Sequence, residues 1–340
     1  MRIVRTDAEI QCPEIDDALQ STGAELVLLP GDVSESSLCE AVREASLLLM
    51  CYTPITAAVI QGTTRLKGIV KYGVGIDAID IEAATAHGIP VVNVPDYADN
   101  TVAEGAFCLM LSLVKHLIPI HQAVQDSGWI EPQSRWLGND IQDKCVAIIG
   151  VGRIGRAFAR MAGAGFGARV IGFDPHVSAA LMQANGIEKC DELAALLHQA
   201  DVVSLHTVLN DSTRSMIAEA EFRAMHRRPV LINVSRGALV DEPALLRALD
   251  SGQIRAAGLD VYAQEPLKRE GHDLSDLYGR DNVILCPHLS FYTHEAMRRL
   301  STETLARCRE ILSDAAVTIH STDPRLLAQQ GVLNIRLDPD

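Results

Sequence analysis

Residues 145–174, CVAIIGVGRIGRAFARMAGAGFGARVIGFD, admit few folds. An apolar run leads into glycines at 150, 152 and 155, a helical stretch follows, and a second apolar run closes on Asp174. A bare G-x-G-x-x-G is common. Strand, glycine turn, helix, strand and terminal acid in one unit is the context that a nucleotide-binding βαβ unit requires. Gly150 permits the tight turn, Gly152 lets the backbone approach a diphosphate, and Gly155 lets the helix pack close. The diphosphate would lie at the helix N-terminus, where free N–H groups point outward, with Arg153 and Ile154 beside it. Asp174 stands where it can accept hydrogen bonds from ribose hydroxyls and repel a 2′-phosphate, so the cofactor expected is NAD rather than NADP.

The rest of the chain extends the same pattern. At 340 residues it exceeds one hydrophobic core. It is 48% hydrophobic but only 4% aromatic, which suits helices packed on buried parallel strands. Apolar runs at 25–30, 46–52, 66–73 and 89–95 precede the glycine unit, with helical stretches at 35–45 and 78–87 between some of them. Residues 99–121 read as one long helix, apolar on most faces of its middle part and therefore buried on more than one side. Strands are expected at 145–150, 169–174, 201–206, 229–235, 255–261 and 282–286, and another long helix at 293–313. The expected fold class is α/β, with two Rossmann-like or flavodoxin-like domains built on doubly wound parallel sheets. A discontinuous substrate domain, 1–97 and 296–340, would enclose an NAD-binding Rossmann domain, 98–295, with the apolar tail returning to the first.

Charge and cysteine usage exclude other classes. Thirty basic against 44 acidic residues give a net charge of −14, with no basic block to neutralise a phosphate backbone, so no nucleic-acid partner is expected. Cysteines at 12, 39, 51, 108, 145, 190, 286 and 308 form no C-x-x-C pair and read as free thiols in a reducing compartment, with no metal site. The start of the chain lacks a signal-peptide segment, and no run approaches the roughly 18 apolar residues of a membrane span. A cytoplasmic protein with no membrane partner is the expectation.

Three further stretches carry the chemistry: LINVSRGALVDEPALLRAL (231–249), AAGLDVYAQEP (256–266) and ILCPHLSFYTHEA (284–296). With the glycine unit, in this order, they resemble the D-2-hydroxyacid dehydrogenase family, and the resemblance runs from about residue 47 to 313. It implies a catalytic set of Arg236, Glu265 and His288. The residue types suit the reaction, because reducing a 2-oxo acid needs a hydride, a proton for the carbonyl oxygen and a cation for the carboxylate. His288 would be the general acid, Glu265 would hold its other ring nitrogen and favour the imidazolium, and Arg236 would orient the substrate through a fork that Lys cannot reproduce.

By the same resemblance, His206, Thr207, Asn233, Val234, Ser235, His288, Thr101 and Glu104 border the cofactor, and Asp260 bonds the nicotinamide carboxamide. The backbone N–H groups of Val74 and Gly75, in KYGVGID, would meet the substrate carboxylate, although Gly73 and Gly75 also read as plain turn residues. Tyr52, Tyr97, Phe291 and Tyr292 either wall a pocket for a compact 2-oxo acid or serve packing. The FYT after the histidine and the Tyr97 segment resemble the D-lactate dehydrogenase branch, whereas Val208 stands where relatives often carry Pro. Glu265, where formate dehydrogenases usually carry Gln, makes formate an unlikely substrate, and no regulatory domain is expected in the short stretch beyond 313. Two alternatives stay open: a glyoxylate/hydroxypyruvate reductase specifically, or an NAD-sensing protein like the corepressors of this fold. A homodimer is expected, with 99–121 and 129–141 at its interface.

Overall fold

The computed structural model describes residues 1–338; the last two residues of the expected first domain lie outside them. The chain divides into two compact units, Met1–Ala98 together with the stretch from Thr293 onward, and Asp99–Tyr292.

The first unit alternates strand and helix: β1 Arg2–Arg5, α1 Pro13–Ser21, β2 Glu25–Leu28, α2 Glu35–Val42, β3 Leu47–Met50, α3 Ala57–Gln61, β4 Ile69–Lys71, α4 Ile81–Ala86 and β5 Val91–Asn93. Each helix start obeys local chemistry: the Ser34, Thr56 and Asp80 side chains accept N–H bonds at the openings of α2, α3 and α4, and Pro13 opens α1. The five parallel strands lie in the order β2-β1-β3-β4-β5, the flavodoxin-like doubly wound arrangement. Val4, Leu48, Ile69 and Val91 fill its core with Leu38 and Val59 from the helices. The helix His294–Leu312 packs against α1, β3 and β4. In the tail, Val317–Ile319 and Ile335–Leu337 pair as parallel strands. Gln329 covers the open edge of β5, its amide accepting from the Val91 N–H at 2.8 Å and donating to the Val91 carbonyl at 2.9 Å.

The second unit opens with α5 Asp99–Val114 and α6 Leu117–Ser127, followed by β6 Cys145–Ile149, α7 Arg153–Arg160, β7 Arg169–Phe173, β8 Glu188–Lys189, β9 Val202–Leu205, β10 Val230–Asn233, β11 Ala256–Leu259 and β12 Val283–Leu285. The sheet is parallel, ordered β12-β11-β10-β9-β6-β7-β8, so the strand order reverses between β6 and β9. Two apolar layers enclose it, one with Leu231 and Leu245, the other with Ile148, Phe158 and Met110.

Two expectations are corrected here. The single helix at 99–121 is two helices bent by 58°, broken where His116 adopts φ 53°. Pro119 explains the restart: in a continuous helix it would lack an N–H for the residue 115 carbonyl and press against it, whereas in the first turn of α6 that donor is not needed. The expected six strands are seven, because the two-residue edge strand β8 is too short and polar to be recognised by pattern. The N-terminal strand β1 also carried no expectation. Among the described residues no single helix is long and apolar enough to cross a membrane.

Candidate active site

The glycine turn lies at the end of β6, at the point where the strand order of its sheet reverses, the place where open α/β sheets bind ligands. Gly150 has φ +91°, and a Cβ there would meet the Thr207 nitrogen at 2.5 Å and the His206 carbonyl carbon at 2.6 Å. Gly155 presses on the turn itself, since its Cβ would stand 2.2 Å from the Gly150 oxygen. A Cβ on Gly152 would meet nothing within 4 Å. This open side of the turn adjoins the start of α7, which no side chain caps. A diphosphate fits there, against free N–H groups at the positive end of a helix.

Asp174 supports the turn directly. Its carboxylate accepts the Val151 N–H and the His176 N–H, both at 2.9 Å. Arg153, expected beside the diphosphate, is ion-paired with Asp99 at 2.8 Å, and Ile154 is half-buried next to it. His206 packs its ring 5.2 Å from Phe158 and shares a 2.8 Å hydrogen bond between Nε2 and the Ser204 hydroxyl. Its Nδ1 is shut from solvent without a hydrogen-bond partner, and burial pushes the imidazole down to about 3.

The candidate residues Arg236, Glu265 and His288 stand on turns that follow β10, β11 and β12. After β10, buried Asn233 folds the first: its Nδ2 donates to the Arg236 carbonyl at 2.9 Å and its Oδ1 accepts the Ser235 N–H at 3.1 Å. The Ser235 hydroxyl donates to the Thr207 carbonyl, Val234 is buried, and an Arg236 guanidinium nitrogen lies 2.7 Å from the Ser235 carbonyl. Gly237 must be glycine, because a Cβ would fall 1.9 Å from the Tyr262 carbonyl carbon. That contact brings the arginine turn against the segment that carries Glu265.

Glu265 has two partners: Oε1 accepts the Tyr262 N–H at 3.0 Å, and Oε2 lies 2.9 Å from His288 Nδ1. Burial works to raise its carboxyl, but the His288 hydrogen bond and charge, the Tyr262 N–H and Arg236 outweigh it and hold the group below the usual carboxylate range. The ionised form is thereby favoured. The Tyr262 hydroxyl donates to the Cys286 carbonyl at 2.9 Å, tying the β11 turn to the approach to His288. The Ala263 N–H donates to Glu242 at 2.7 Å, and His272 bonds the Gln264 carbonyl, so the loop around Glu265 is fixed from both sides. His288 itself has φ 58°.

The other candidate positions are distributed between the two units. Thr101 is buried in the first turn of α5, and exposed Glu104 accepts from Asn100 at 2.5 Å. Buried Phe291 packs edge-on to exposed Tyr292, their ring centroids 5.8 Å apart. In the first unit, Asn93 donates to the Val74 carbonyl at 2.6 Å and pins the loop of exposed Val74 and half-buried Gly75. Tyr52 is exposed, with the Lys71 ammonium 4.9 Å from its ring centroid, whereas Tyr97 is buried and its carbonyl accepts from Arg299 at 2.7 Å. Sequence reasoning missed Gly237, Tyr262, Glu242, His272 and Lys71. Gly237, Glu242, Tyr262 and Lys71 lie inside the motif stretches, but their partners are visible only in three dimensions.

A doubly wound sheet with an open glycine turn at its reversal point, and a histidine–carboxylate pair at the ends of neighbouring strands, defines an NAD-binding oxidoreductase. Residues 107–290, more than half of the chain, match the D-isomer specific 2-hydroxyacid dehydrogenase, NAD binding domain. The chain belongs to that family, NAD-dependent dehydrogenases that act on CH–OH groups. It is 35% identical over 310 residues to the glyoxylate reductase of Korarchaeum cryptofilum, covering 89% of this chain and 88% of that protein. It is also 35% identical over 281 residues to the D-3-phosphoglycerate dehydrogenase of Methanocaldococcus jannaschii, covering 82% of this chain but spanning only about half, 52%, of that relative's length. Among solved structures, the D-lactate dehydrogenase from Aquifex aeolicus, complexed with NAD and lactic acid, superposes with a TM-score of 0.82 at 28% identity, covering 92% and 96% of the two chains.

Proposed function

We propose that the protein reduces a compact 2-oxo acid to the D-2-hydroxy acid with NADH, with Arg236, Glu265 and His288 as the catalytic set. The observation that carries this reading is the 2.9 Å bond between His288 Nδ1 and Glu265 Oε2, made by a carboxyl held ionised beside Arg236. When bound, the nicotinamide supplies the hydride. His288 delivers a proton from Nε2 to the carbonyl oxygen, so that the C=O bond becomes CH–OH, and takes that proton back in the oxidative direction. The Arg236 guanidinium holds the carboxylate and carbonyl oxygens of the substrate, and Glu265 fixes the imidazole ring and balances its positive charge.

Gly150, Gly152, Gly155, Asp174 and the ends of β9 and β10 would hold NAD. The reading extends to Val74 and Gly75 as carboxylate-binding residues and to Tyr52, Tyr97 and Tyr292 as residues that select the side chain. Homodimerisation through α6 and the segment that follows it is supported by the exposed Trp129 and Leu137. A reducing, cytoplasmic setting is supported by eight free cysteines.

The test is NADH oxidation by purified protein against glyoxylate, hydroxypyruvate, pyruvate, oxaloacetate and branched or aromatic 2-oxo acids, with NADPH and a His288→Gln control in parallel. Turnover of one acid, abolished in the control, supports the reading. Glyoxylate stands first in the panel because glyoxylate reductases are among the similar proteins. Tight NADH binding without turnover of any acid would favour the NAD-sensing alternative instead.

A further inference from the structure

We propose that Asp260 is a positioning residue that holds the backbone of His288 in its left-handed conformation, with Gly105 of α5 as the second support of the same turn.

His288 is not glycine, yet its φ is 58°. Such a residue persists only when its surroundings over-determine it. A left-handed residue turns the N–H groups that follow it toward a common point, making a small concavity that takes an anion. The anion here is the Asp260 side chain: Oδ1 accepts the Leu289 N–H at 2.9 Å and Oδ2 accepts the Ser290 N–H at 2.9 Å. Asp260 is 1% exposed at the end of β11, and its own N–H is fixed to the Asn233 carbonyl at 2.9 Å. If φ at residue 288 turned negative, the two N–H groups would diverge and leave a buried carboxylate short of partners, which is costly. The carboxylate therefore selects the left-handed conformer.

Gly105 closes the other side. A Cβ at that position would stand 2.8 Å from the Ser290 Cβ and Oγ, and 3.2 Å from its Cα. The turn sits against α5 only because residue 105 has no side chain. Glu265 fixes the ring of His288 at Nδ1, and Asp260 and Gly105 fix the chain that carries the ring. The sequence resemblance gave Asp260 a different task, bonding the nicotinamide carboxamide, and the two roles make opposite kinetic predictions.

The kinetic arm rests on the proposed 2-oxo acid reduction; the structural arm does not. Asp260→Asn presents an NH2 group to one of the two N–H donors, and Gly105→Ala crowds Ser290 without changing any polar group. Both variants are expected to lower kcat by about tenfold or more, as the competent conformer becomes a minor population, while the NADH dissociation constant measured by fluorescence stays within about threefold. Crystal structures without substrate should show residue 288 at negative φ, or the turn split between conformers. A residue 288 still at φ near its present value in a folded Asp260→Asn protein would overturn the proposal. So would NADH affinity falling more than about tenfold with kcat at saturating cofactor unchanged, the pattern of a carboxamide contact. If Asp260→Asn does not fold, Gly105→Ala decides: an unmoved turn with unchanged kcat removes the clamp. If the wild type turns over no 2-oxo acid, the functional reading fails while the φ measurement still judges the clamp.

Discussion

Arg236 and His206 show how differently single side chains at one sheet edge are used. Arg236 sits on a turn folded by Asn233, so its fork is presented in one orientation. Arg236→Lys keeps the charge but loses the bidentate geometry, and steady-state kinetics should show KM raised and kcat lowered together, by about tenfold or more in kcat/KM. Unchanged kinetics would remove Arg236 from the site. His206 is neutral in the folded protein, its imidazole pushed down to about 3 by burial, against about 6.5 in the unfolded chain. Below pH 6.5 the unfolded state binds a proton that the folded state refuses, so stability is retained above that pH and lost as pH falls toward 3. Urea unfolding between pH 8.5 and 4.5 should therefore show the wild type losing up to about 1.4 kcal/mol per pH unit more than His206→Gln, with the two slopes parallel above about pH 7.5. At this scale Arg236, Glu265 and His288, proposed as the catalytic set, stand out in the sequence because each falls in a short motif of characteristic spacing, N-x-x-R-G, D-V-x-x-x-E-P and P-H. Gly237, Tyr262 and Gly105 support them through contacts between segments distant in sequence, which no local pattern encodes, whereas Asn233 acts locally, on Ser235 and Arg236.

The β6–α7 element separates two uses of glycine that look alike in the sequence. Gly155 is small because the Gly150 oxygen is already there, whereas Gly152 is small although nothing of the protein is there. Gly155→Ala should lower the melting temperature of the cofactor-free protein, since forcing a methyl into packed backbone costs about 1–3 kcal/mol. Gly152→Ala has ordinary dihedrals for alanine, φ −70° and ψ −164°, and should leave cofactor-free stability within about 0.5 kcal/mol while weakening NADH at least tenfold. Thermal melts with and without NADH measure both. If Gly152→Ala bound NADH normally, the open side of the turn would not be the diphosphate site. Elements were legible in the same uneven way. Strands β3, β6, β9 and β10 are buried along their whole length and read as apolar runs, interrupted only by Ser204 in β9 and closed by Asn233 in β10. Strand β8, a two-residue polar pair at the sheet edge, gave no such signal. The break between α5 and α6 was missed because apolar periodicity continues across it, although Pro119 was the available sign.

At the scale of the whole molecule, the second unit leaves one stretch that its own core does not use. Helix α6 has no fully buried residue, and Leu117 and Ile118 at its start are 58% and 50% exposed. Beyond its end, Trp129 is 75% exposed and Leu137 72% exposed. Helix α5, by contrast, buries Ala103, Ala106, Phe107 and Met110 against α7 and the sheet. An exposed apolar helix continued by an exposed tryptophan is the composition of an interface core, where aromatic side chains supply most of the binding energy. A stable C2 dimer needs about 1,000 Å² or more of buried surface, which a helix with a following arm can supply. Light scattering should give twice the 36.8 kDa chain mass for the wild type. The double substitution Trp129→Glu and Leu137→Glu puts charges at the centre of the contact and should shift the mass to that of one chain, with the far-UV circular dichroism unchanged. A wild-type monomer would refute the dimer, and a dimer that survives both charges would place its interface elsewhere.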